Sequence, residues 1–100
     1  MKNTFKPFDP AEYLDSPEAA AVFLSDALET RDAKYIAKAL GVLARAKGMT
    51  AVAKETGLSR EQLYRTLSDD AQGGNPTLQS FLAVLGAVGV DLSAQPQKAT

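Results

Sequence analysis

The sequence predicts an all-α fold, one bundle of five to six helices in a single globular domain. Three observations carry this. Apolar residues recur at the 3.6-residue helical period in successive segments. Start signals precede four of those segments, at Ser16, Asp32, Ser59 and Thr77, and glycines end two of these four, at Gly48 and Gly89, while Gly57 ends the short segment before Ser59. The length, 100 residues, suits one domain with one modest core.

The elements follow in order. "FKPFDPAEYL" opens extended, because Lys6 and Asp9 each precede a proline and are pushed out of the helical region. Asp9 suits an N-cap, with Pro10 at the first helical position and Glu12 at the capping-box position of a short turn to Leu14. Ser16-Pro17-Glu18 repeats that signal. The helix it begins lines up Ala20, Phe23, Leu24, Ala27 and Leu28, and should end near Thr30, since Asp32 is suited to cap the next helix.

That next helix, "AKYIAKALGVLARAK", is apolar over more than half its circumference through Tyr35, Ile36, Ala39, Leu40, Val42, Leu43 and Ala46. Lys47 suits the negative end of its dipole, and Gly48 stops it. Gly41 costs roughly 1 kcal/mol relative to alanine in a helix interior, and reads as a close packing point or a tolerated weak spot.

"TAVAKETGLSREQLYRTL" reads as two short helices around a tight turn at Gly57. Val52, Ala53, Leu63 and Leu67 face inward, and Ser59 with Gln62 forms a capping box. After the polar loop "SDDAQGGNP", Thr77 starts a last helix with Leu78, Phe81, Leu82, Leu85 and Val88 inward. Leu40, Leu63, Leu67, Phe81 and Leu85 are expected to be almost fully buried. "VDLSAQPQKAT" predicts a short extended segment and a polar tail. The expected organisation is an acidic helical extension at 1–31, a helix-turn-helix domain at 32–92 and a tail at 93–100.

Composition narrows the function. The chain is 45% hydrophobic and 23% charged, an ordinary soluble composition. It has neither cysteine nor histidine, which removes disulfides, thiolate metal sites and the commonest general base. The adjacent acids Asp69 and Asp70 read as a solvated loop. No enzyme activity, metal or cofactor is expected. No run approaches the ~20 apolar residues of a membrane span, and the opening lacks a signal-peptide core, so a cytoplasmic location is expected.

Charge is segregated. Residues 1–30 hold two lysines against six acids, a net −4; residues 31–68 hold eight cations against three acids, a net +5; residues 69–100 hold one lysine and three aspartates, a net −2. A basic middle suits phosphate and an acidic first third suits a cationic partner. On the second short helix, Arg60, Glu61, Tyr64 and Arg65 point away from the core, where base edges in a DNA major groove would meet them. Lys47, Thr50, Lys54, Ser59 and Ser68 are placed for phosphates. The alternative is an ordinary helical hairpin with a polar outer face.

"MTAVAKETGLSREQLYRTLS" followed by "GNPTLQSFLAVLGAVGV" resembles the λ-repressor-like (Cro/C1-type) helix-turn-helix family. With "FDPAEYL" and "ALETRDAKYIAKALGVLARAKGM", the similarity narrows to HigA-like antitoxins of addiction modules and covers roughly residues 5–92. The loop "DDAQGG" is longer than is usual there. The resemblance implies a protein that neutralises a small basic toxin of the RelE/ParE fold and binds double-stranded operator DNA to repress its own operon.

Acidic charge then places toxin contacts at Glu12, Asp15, Glu18, Asp26 and Glu29, around an apolar centre near Phe5, Phe8 and Tyr13. A homodimer is expected, through Val84 and Val88 or through "VGVDLS" pairing as an edge strand. The competing readings are a stand-alone phage-type repressor without a toxin and a protein-interaction module that keeps the fold without DNA binding.

Overall fold

The computed structural model describes residues 14, 16–67 and 75–98. Its described residues form five helices in the order α1 (Pro17–Glu29), α2 (Ala33–Lys47), α3 (Met49–Thr56), α4 (Arg60–Thr66) and α5 (Leu78–Val88). No strand occurs among them. The expected turn at Asp9–Leu14 lies outside the described residues apart from Leu14, which packs against the core.

The helix starts are local chemistry. Ser16 Oγ accepts from the Ala19 N–H at 3.1 Å, and Asp32 Oδ1 accepts from Lys34 and Tyr35 N–H at 3.1 and 3.3 Å. Ser59 Oγ accepts from Gln62 N–H at 2.9 Å, and Thr77 Oγ1 from Ser80 N–H at 3.0 Å. Each satisfies a donor that the first helical turn leaves without a partner. At the α1–α2 corner the Thr30 hydroxyl donates to the Ala27 carbonyl at 2.6 Å and accepts from Asp32 N–H at 3.1 Å. Arg31 completes the corner at φ +56°, a left-handed conformation that a side chain disfavours.

One core joins all five helices. α1 contributes Ala20, Leu24 and Ala27; α2 contributes Ala39, Leu40, Leu43 and Ala44; Met49, Val52, Leu63, Leu67, Val84, Leu85, Ala87 and Val90 complete it. α1 packs on α2, and α5 on α2 and α3, so α3 and α4 rest on a scaffold of the longer helices. Gly41 is a close packing point, because a Cβ there would fall 2.8 Å from the Leu67 carbonyl oxygen.

Five expectations need correcting. Leu78 and Leu82 are 70% and 48% exposed, because α5 buries the stripe through Val84, Leu85 and Ala87 instead. Phe81 lies at the edge of that stripe and is half-buried. Tyr35 is exposed, and Ala37 and Ala44, small enough for close helix contact, are buried on α2. Val84 is 1% exposed and unavailable to a partner. The "VGVDLS" segment forms no strand: Val90 closes the core and Leu92 is exposed.

Candidate nucleic-acid interface

α3 and α4 are joined by a turn that the sequence fixes at several points. Gly57 takes φ +80° and donates its N–H to the Ala53 carbonyl at 2.9 Å, closing α3. The Thr56 hydroxyl donates to the Val52 carbonyl at 2.8 Å and accepts from Leu58 N–H at 3.2 Å. Thr56 therefore braces the turn from inside, a role the sequence reading missed. Leu58 packs against the core, and Ser59 caps α4.

α4 is anchored along one side. Leu63 is 0% exposed and Leu67 is buried one turn on. Arg60, Glu61, Tyr64 and Arg65 are all exposed. None of these four side chains makes a hydrogen bond or ion pair with a described residue, so their polar atoms are free for an outside partner. The face is compact because residues 60, 61, 64 and 65 repeat at three- and four-residue spacing.

The described phosphate candidates fall at the end of α2, on α3 and at the cap of α4. Thr50, Lys54 and Ser59 are exposed. Lys47 is exposed too, but it pairs with Glu55 at 3.7 Å across the α2–α3 corner. Such an exposed pair contributes little, ~0–1 kcal/mol, and yields readily to a phosphate. Ser68 lies outside the described residues.

Two further cations escaped the sequence reading. Lys38 and Arg45, two turns apart on α2, line a cleft with Val42 of the same helix, with Leu63 and Tyr64 of α4 and with Leu67 just after it. They bracket the Gly41 contact on which the end of α4 rests. α4 thus has cations of α2 beside it, and Thr50 and Lys54 are exposed on α3, which also contacts α4. Nothing in local periodicity signals this, since it depends on how α4 crosses α2.

The acidic residues sit elsewhere. Glu18, Asp26 and Glu29 are exposed on α1. Val22, 65% exposed, lies one turn from both Glu18 and Asp26 on the same stripe. Glu12, Asp15, Phe5, Phe8 and Tyr13 lie outside the described residues. Among the described residues there is no cluster of potential metal ligands, and no helix is long and apolar enough to cross a membrane.

The described elements define a small all-helical domain with exposed cations on α2, α3 and α4 and exposed acids on α1, and none of its described charged residues is buried. The chain belongs to the family described as probable addiction module antidote protein, whose family model matches residues 4–96. A protein of Haemophilus influenzae (strain ATCC 51907 / DSM 11121 / KW20 / Rd), described as uncharacterized, is 36% identical over 98 residues, which is 98% of each chain. No solved structure gives a significant match. Membership makes the chain an antidote of an addiction module and implies a toxin as its partner.

Proposed function

We propose that this antidote binds two macromolecules through separate surfaces, operator DNA through α4 and its toxin through α1. In this reading α3, the Gly57 turn and α4 form a λ-repressor-like helix-turn-helix, and α4 enters the major groove. The observation that carries it is the exposed, unpaired set Arg60, Glu61, Tyr64 and Arg65 on a helix whose opposite side is locked by Leu63. Arginine can hold guanine O6 and N7 with two bonds, and glutamate can accept from cytosine N4. Thr50 and Lys54 of α3, with Lys38 and Arg45 of α2, would supply the contacts to the phosphate rows that border a groove. Two copies of the chain would read two half-sites, which represses the module's own operon.

The toxin in this reading is small, basic and of the RelE/ParE fold. α1 supports it through Glu18, Asp26 and Glu29, which steer a cationic surface and are of the wrong sign for DNA. Deleting residues 1–30 cannot test this cleanly, because Ala20, Leu24 and Ala27 belong to the core. The test is charge reversal of Glu18, Asp26 and Glu29 to lysine, followed by co-purification with the toxin and by DNA binding. Loss of toxin with DNA binding kept, or strengthened by the added positive charge, supports two separate surfaces; undiminished toxin binding refutes the α1 assignment.

A further inference from the structure

α5 ends at Gly89, and the chain then runs to Lys98 without helix, strand, turn or bend. Val90 fixes the start of this run in the core, while residues 91–98 are all exposed. None of their backbone groups makes a hydrogen bond with a described residue. Pro96 pushes Gln95 out of the helical region. The run is therefore a strand without a partner, with N–H and C=O groups open on both edges.

The run does not lie alone. Asp91, Leu92 and Ser93 line a cleft of about 600 Å³ with Leu28, Glu29 and Arg31, where α1 ends. Glu29 belongs both to this cleft and to the acids exposed on α1. We propose that the cleft seats an extended segment of the toxin, which adds a strand to residues 91–95 and sets a lysine or arginine against Glu29 and Asp91. The assignment rests on the reading of α1 as the toxin surface and extends that surface to a second element.

The chemistry of the cleft selects this occupant. Pairing with a free backbone edge needs a polypeptide rather than a nucleic acid. Two acids against one cation, Arg31, favour a positively charged chain. A second copy pairing run against run would bring residues 92–97, which are uncharged, and so no cation for Glu29. Leu28 is half-buried and Leu92 is 44% exposed, which leaves an apolar contact between the charges. Main-chain bonds then supply affinity, while Glu29, Asp91 and Leu92 supply the choice of partner.

The experiment titrates the full chain with the toxin of its own module in a calorimeter, with thermal melting as the control for folding. Asp91→Lys, and separately the pair Ser93→Pro with Ala94→Pro, should each weaken toxin binding about tenfold or more. Melting should not change, because the run makes no internal hydrogen bond. Successive residues of a strand turn their N–H groups to opposite edges, so the two prolines remove a donor from whichever edge the toxin takes. Hydrogen exchange should find the amides of residues 92–95 unprotected in the free chain and slowed at alternate positions in the complex. Undiminished affinity in both variants overturns the assignment. If Glu18→Lys with Asp26→Lys, neither of which lines the cleft, then abolishes binding, the α1 reading stands without it; if that pair also has no effect, both fall. Loss with Asp91→Lys but not with the prolines overturns strand pairing. Alternate protection that appears in the free chain at high concentration gives the run to a second copy and overturns the assignment equally.

Discussion

The carbonyl oxygen of Leu67 rests against the bare Cα of Gly41, where a Cβ would fall only 2.8 Å from it. The end of α4 is thereby seated backbone to backbone on α2, and the orientation of the whole exposed α4 face depends on that seat. Gly41→Ala should destabilise by ~1–3 kcal/mol through overpacking, although an unobstructed helix would gain ~1 kcal/mol from the same change. Urea denaturation measures this, and a net gain in stability would show that the contact is not tight.

Leu63 holds α4 from its buried side. Leu63→Ala should cost ~2–5 kcal/mol through the cavity it leaves, and Ser59→Ala only ~1 kcal/mol through the lost cap. Equal losses for the two would mean that α4 is held by its cap rather than by the core. The same denaturation series decides it.

At the α1–α2 corner Arg31 holds φ +56°. Glycine removes a left-handed penalty of roughly 1–2 kcal/mol, offset in part by the greater freedom of the unfolded chain. Arg31→Gly should therefore raise the melting temperature. A fall would mean that the arginine side chain contributes more than its backbone costs.

The bundle was legible because its boundaries are chemical. Ser16, Asp32, Ser59 and Thr77 each cap the helix they were expected to cap. α4 could be phased because Leu63 and Leu67 share one side and the charged residues the other. α5 could not: "LQSFLAVLGAV" is apolar almost all round, so only its packing on α2 and α3 decides that Val84 is buried and Leu78 is not. The same limit hid Lys38 and Arg45, whose relation to Tyr64 exists only once α4 lies across α2.

If those cations meet phosphates, their loss should act on all DNA alike. Lys54→Ala, Lys38→Gln and Arg45→Gln should each lower the slope of log affinity against log salt by about 0.9, equally for operator and shuffled duplexes. Titrations at several salt concentrations give the slopes. A residue whose removal leaves the slope unchanged makes no phosphate contact.

The most direct measurement is the affinity of the full chain for the DNA preceding its own gene and for a shuffled duplex, at one salt concentration, for wild type and Arg60→Ala. The wild type should prefer the native sequence by about 10³-fold or more. Arg60→Ala should lose ~1–3 kcal/mol on that sequence and little on the shuffled one. Equal wild-type affinity for both duplexes, or an equal loss on both for Arg60→Ala, would contradict base reading by α4.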